Sequence, residues 1–262
     1  MTPLVSRDPT DNEMQKFRLI LSTYQDGSGQ LAIKGNKTLP GWRDFERAVA
    51  IIFNGEAQEN KYIFDVLMSD SEQPGLFVGI SCKMRRTLTD TIRTGRVTLE
   101  LSNSSGKFWR ELLRYGINQQ NYATQPATAG SALIDLVESW HKEVGKENGG
   151  RVDLDKSYFL SLSWNKKEDY QLFKFPVDLP DPASLQWEFS GRRLIGKDAL
   201  GILFEWYGES GGQLKYYPLV RNAQWKSTIF NLQPLPMGID FEHGVLVKAK
   251  SYFPDLWGMT AN

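Results

Sequence analysis

The sequence predicts an α/β fold, a mixed β-sheet flanked by helices, with a β-rich C-terminal half. Three observations carry this. Apolar residues at helical spacing over 42–53 are followed at once by two strand-like runs, KYIFDVLM (61–68) and GLFVGISCKMRR (75–86). A second helical stripe, Leu133, Val137, Trp140 and Val144, stops at Gly145. From residue 157 onward the chain becomes a series of short runs rich in β-branched and aromatic residues, punctuated by Gly, Pro, Asn and Asp. A chain of 262 residues can form one large domain or two small ones. No low-complexity linker or charge block marks a boundary, so one domain over 1–262 is expected, with a core at about 41–145 and a β-rich region at about 157–252.

The elements follow in order. FRLILSTY (17–24) fits a short strand or a helix, and QDGSGQ (25–30) is a turn. Phe45, Val49 and Ile52 or Phe53 define the helix 42–53. The two strand-like runs are joined by Ser-Asp-Ser-Glu-Gln-Pro-Gly, which predicts a hairpin. RVTLELS (96–102) alternates and reads as a third strand. Ser104 and Ser105 offer caps for a helix over 107–115, which Gly116 can stop. Residues 118–130 form a polar loop, and a helix over 131–144 follows. SYFLSLSW, YQLFKFPV, GILFEWYG, QLKYYPLV, WKSTIFNL and GVLVKAKSY then read as mostly antiparallel strands.

Composition removes several functions. Hydrophobic residues at 40% and charged residues at 24% are ordinary for a soluble globular protein. No apolar run approaches the ~20 residues that span a bilayer, so no membrane association is expected. The N-terminus has early charges and no apolar signal region, and a single cysteine excludes an internal disulfide; both fit a cytoplasmic protein. Two histidines and one cysteine cannot build a Cys- or His-rich zinc site. There is no Walker A loop, dinucleotide fingerprint or nucleophile elbow. His141 falls on a helix as a surface residue, and His243 at a turn. Zero net charge argues against coating nucleic acid by charge alone. The charge is nonetheless uneven: Lys83, Arg85, Arg86, Arg93 and Arg96 fall within fourteen residues.

The hairpin carries the chemistry. Side chains alternate faces along a strand, so Leu76, Val78, Ile80, Cys82 and Met84 form an apolar face, and Gly79, Ser81, Lys83 and Arg85 point the other way. Asp65 interrupts an apolar run, Ile63 to Leu67, on the partner strand. A carboxylate and a lysine facing one space can hold a divalent cation and activate a water.

Asp65 on one strand and Ser81-Cys82-Lys83 on the next resemble the PD-(D/E)XK nuclease superfamily, which places an Asp before an acidic-x-Lys. Here Ser81 stands where that family usually has Asp or Glu, a Ser-Cys-Lys variant shared with some type II restriction enzymes that cut within CCGG-type sites. The resemblance covers about residues 41–115 and implies a restriction-endonuclease-like core. It also implies a glutamate on the preceding helix, for which Glu46 is the candidate, with Glu100 in reserve. The implied site has Asp65, Glu46 and the Cys82 carbonyl holding Mg²⁺, Lys83 orienting the attacking water, and Arg85, Arg86, Arg93 and Arg96 on DNA phosphates. The implied protein is a Mg²⁺-dependent endonuclease of double-stranded DNA, a homodimer if its site is twofold symmetric. Asn118, Gln119, Gln120 and Asn121 could read adenine edges. Two other readings stay open: a repair or transposition nuclease on the same fold, and a non-enzymatic binding or assembly protein using the C-terminal aromatics as its face.

Overall fold

The computed structural model describes residues 2–32, 37–58, 63–70, 72–209, 212–239 and 241–257, with the backbone alone at 241–243 and 256. In chain order the elements are α1 (Asp11–Thr23), β1 (Leu31–Ala32), β2 (Thr38–Leu39), α2 (Trp42–Phe53), β3 (Glu56–Ala57), β4 (Val66–Ser69), β5 (Phe77–Arg85), α3 (Leu88–Thr94), β6 (Leu99–Ser102), α4 (Ser105–Arg114) and α5 (Pro126–Val144). There follow β7 (Tyr158–Trp164), β8 (Asp169–Pro176), β9 (Gln186–Ser190), β10 (Arg193–Asp198), β11 (Gly201–Tyr207), β12 (Gln213–Tyr216), β13 (Trp225–Lys226), β14 (Phe230–Asn231), α6 (Phe241–Tyr252) and α7 (Pro254–Trp257). The α/β class expected from the sequence is the class observed.

A mixed seven-stranded sheet organises the molecule, in the order β13-β8-β7-β5-β4-β3, with β14 also on β8. β3, β4 and β5 form an antiparallel meander. β5 and β7 then run parallel, which requires a long crossover. That crossover contains α3, β6, α4 and α5. The second sheet, β6-β12-β11-β10-β9, is antiparallel throughout.

Each face of the main sheet is covered by its own core. On one face Phe17 and Leu21 of α1 and Phe45, Val49 and Phe53 of α2 pack on Val66, Val78, Ile80, Leu160 and Leu172. On the other, Phe64, Phe159, Phe173 and Phe175 meet α4, α5 and the inner face of the second sheet, including Phe204 and Trp206. Trp187, Trp206 and Tyr216 are therefore core residues, not an exposed aromatic face. α2 begins at Gly41, where the Asp44 carboxylate accepts from the Gly41 N–H at 2.8 Å, and ends at Asn54 in the left-handed region.

Several expectations change. Residues 17–24 are largely helical, since Thr10 and Glu13 form a capping box that starts α1. Of the expected strand 61–68, β4 takes only Val66–Ser69; Ile63 to Asp65 form a bend, and Lys61 and Tyr62 lie outside the described residues. The basic segment contains a helix, α3, closed by Gly95 at φ 69°. The strand at 96–102 shortens to β6 and pairs with β12 of the second sheet, not with the hairpin strands. α5 starts at Pro126, inside the expected loop, because Pro is favoured in a first helical turn. Residues 244–252 lie in α6, not in a strand: Leu246, Lys248, Ala249 and Lys250 are good helix formers, and Lys248 is tied to Asp26 at 2.7 Å. His243 thus sits in a helix. Among the described residues no helix is long and apolar enough to cross a membrane.

Candidate active site

Asp65 sits where β4 begins. Its N–H donates to the Ile80 carbonyl at 3.0 Å, just before the Val66–Ile80 pair of the β4–β5 ladder. Beyond Ile80 the Asp65 side chain takes over from the ladder. Its Oδ2 accepts from the Cys82 N–H at 2.7 Å and from the Ser81 hydroxyl at 3.4 Å. Lys83 Nζ lies 3.9 Å from the same oxygen. The N–H and C=O of a strand residue point to the same side, so the Cys82 carbonyl faces the Asp65 side of β5. Gly79 is needed nearby, because a Cβ there would run into the Phe64 ring, and Phe64 precedes Asp65.

The alternation expected for β5 is present, but the polar face is not open. Ile80 and Cys82 pack with α2, while Ser81 is itself buried. Asp65 and Lys83 keep 29% and 18% of their side-chain surface, so both are partly exposed beside the start of β4.

Glu46 joins this group from α2. Its carboxyl is pushed up to about 7, first by burial and then by the Asp65 charge, with Lys83, Arg43 and Arg47 pulling the other way. The Asp65 charge disfavours ionisation of Glu46. A divalent cation would relieve that repulsion, and Mg²⁺ takes one or two carboxylate ligands, which Asp65 and Glu46 could supply. Among the described residues no cluster of three His, Cys, Asp or Glu side chains forms. Asp65 and Glu46 would therefore hold the ion with the Cys82 carbonyl, water and substrate phosphate; Mg²⁺ ordinarily keeps several waters and takes one or two carboxylates. Glu100 is placed elsewhere: it pairs with Arg85 and accepts from Gln213 at 2.6 Å, on the second sheet. The Cys82 thiol is pushed well up, mainly by burial and then by Asp65 and Glu46, so it is held as an inert thiol.

The basic run divides. Arg96 is 10% exposed and makes a two-pronged pair with Asp198 at 2.8 and 3.0 Å, plus a bond to the Tyr217 carbonyl. It ties the β6 region to the second sheet, and phosphate contact would require breaking that pair. Arg85 is engaged by Glu100. Arg86 is exposed and lies over the Trp164 ring. Arg93, 72% exposed, makes only a surface pair with Asp90. Asn118 and Asn121 spend their side chains on their own turn; Gln119 and Gln120 are exposed.

His141 was expected on a helix surface and is buried instead. It stacks on Phe64, with ring centroids 5.4 Å apart, and lies edge-on to Phe159. Burial, and then the Lys83 charge, push it down to about 4. Only packing brings it near Lys83, so no local sequence signal marks it.

His141 and Glu46 predict opposite pH slopes. His141 is depressed below its ordinary 6.5, so its contribution of about 3 kcal/mol is present above pH ~6.5 and is lost as pH falls toward about 4. Glu46 is raised above 4.5, so its contribution is full below that pH and is lost as pH rises through about 7. The two offset each other over the shared window. Denaturant unfolding from pH 4.5 to 6.5 should show stability rising with pH in Glu46→Gln and falling in His141→Phe. Equal slopes in the two variants would contradict this electrostatic picture.

The chain matches no protein-family model, no curated protein and no solved structure.

Proposed function

We propose that this protein is a Mg²⁺-dependent endonuclease that hydrolyses phosphodiester bonds of double-stranded DNA, of the type II restriction kind and acting as a cytoplasmic homodimer. The observation that supports it is the convergence of the Ser81-Cys82-Lys83 segment of β5 on the Asp65 carboxylate, with Glu46 of α2 within reach of the Asp65 and Lys83 charges. This is the set implied by the PD-(D/E)XK resemblance, and it comes from three separate elements. Bound Mg²⁺ would polarise the phosphate and lower the pKa of a water.

The chain's own residues divide the remaining work. Asp65 is oriented by the Cys82 N–H and the Ser81 hydroxyl, so Ser81 supplies position in place of charge. Lys83 places its ammonium beside the Asp65 carboxylate, where it can orient the attacking water and stabilise the charge that develops on phosphorus oxygens. Glu46 would supply the second carboxylate, giving up its proton to act as a ligand.

Sequencing the ends of digested duplex DNA tests the reading. A restriction enzyme leaves one recurring sequence at every cut. Cuts that follow DNA structure without a shared sequence would favour a repair or transposition nuclease, and no cutting in Mg²⁺ would oppose the reading altogether.

Phosphate contacts are expected from Arg86 and Arg93, the exposed members of the basic run. Arg86→Ala and Arg93→Ala should each shallow the slope of log K against log salt by about 0.9 and weaken all sequences alike. Arg96→Ala should instead cost roughly 2–4 kcal/mol of stability by leaving Asp198 unpaired. An unchanged salt slope in the Arg86/Arg93 double variant would identify that face as merely solvated.

A further inference from the structure

Five buried hydroxyls find no hydrogen-bond partner among the described residues. One, Tyr170 Oη, belongs to the core on the α2 side of the main sheet; the others are Ser161 Oγ, Ser163 Oγ, Thr87 Oγ1 and Thr91 Oγ1. Their positions are related. Ser161 and Ser163 are the register neighbours of Lys83 and Arg85 across the parallel β5–β7 pair, so all four side chains share one face of the sheet. Between them, Leu160 and Leu162 point to the opposite core. The alternation Leu-Ser-Leu-Ser therefore puts hydroxyls only where Lys83 is. α3 packs against β7 and β8. Its buried residues are Leu88 and Thr91, and Thr87 lies one turn before Thr91.

Buried hydroxyls without partners are destabilising, and native proteins leave few of them. Four around one site call for a common partner. Lys83 has the complementary need. Its ammonium has three donors and no acceptor, it is largely buried, and its nearest carboxylate oxygen is 3.9 Å away, beyond hydrogen-bond range. Hydroxyls and an ammonium on one face are bridged by water, which both donates and accepts.

We propose that Ser161, Ser163, Thr87 and Thr91 line a hydration site between β7 and α3, whose ordered water accepts hydrogen bonds from the Lys83 ammonium. Ser161 and Ser163 are then positioning residues for Lys83. The effect on rate rests on the nuclease reading; the hydration site does not.

The sign of a stability change tests the site. Removing a hydroxyl that has no partner relieves a penalty, whereas removing one that holds water creates a penalty. Thermal unfolding of Ser161→Ala and Ser163→Ala should therefore show Tm lowered by about 2–4 °C each. An unchanged or raised Tm in both overturns the proposal. The positioning role is read in single-turnover cleavage: Ser161→Ala should lower kcat about tenfold or more with the Kd for DNA unchanged. An unchanged kcat with a lowered Tm would leave the water in place and remove its role at Lys83. If the wild type cuts no DNA, the nuclease reading fails, while the sign of the Tm shift still decides the hydration site.

Discussion

Asp65→Asn is expected to lower Mg²⁺-dependent DNA cleavage by at least about a thousandfold, since a cation's contribution to such a transition state is several kcal/mol and each 1.36 kcal/mol is tenfold in rate. DNA binding should stay intact or tighten, because one negative charge facing the phosphate is lost. The fold should survive. Asn retains a carbonyl oxygen for the Cys82 N–H, and the contact to Lys83 is long. Cleavage rate, filter-binding affinity and Tm, measured on one preparation, separate these effects. Cutting near the wild-type rate would remove Asp65 from the site.

The second large effect is expected at Glu46. Glu46→Gln should lower the rate roughly a hundredfold at limiting Mg²⁺ and raise the Mg²⁺ concentration needed for half-maximal activity. Glu100→Gln should do far less, because Glu100 is occupied by Arg85 and Gln213. The same Glu46 variant should be more stable than wild type at pH 8 without metal, since the cost of burying a charged Glu46 and its repulsion with Asp65 are both gone. Gain of stability with loss of activity is the pattern of a charge kept for function. Inactivity of Glu100→Gln alone, with Glu46→Gln active, would exchange the two roles.

How much of this was legible in the sequence follows from the range of each interaction. The hairpin, α2 and α5 depend on local periodicity, and the sequence carries them. Asp65, Ser81 and Lys83 converge because strand alternation and antiparallel pairing are short-range rules. Glu46 was nameable through the family resemblance; its closeness to Asp65 comes from α2 packing on β5, which no local pattern encodes. Long-range partners were not readable. Arg96 looked like its neighbours in a basic run, yet Asp198, a hundred residues away in sequence, claims it. β6 alternates as a strand should, but alternation does not say which sheet it joins. α6 misled because Val245 and Val247 alternate over a stretch that the helix formers around them win. His141 and the Ser161–Ser163 row acquire meaning only once β7 lies beside β5.

On the proposed function, Lys83, Asp65 and Glu46 form one metal-dependent hydrolytic site. It is tested most directly by incubating supercoiled and linear plasmid with wild type and Lys83→Ala, each in Mg²⁺ and in EDTA. Cutting is expected from the wild type in Mg²⁺ only, and none from Lys83→Ala in either buffer, with the variant's circular dichroism showing it folded. Cutting by Lys83→Ala at the wild-type rate, or cutting by the wild type in EDTA, would contradict it.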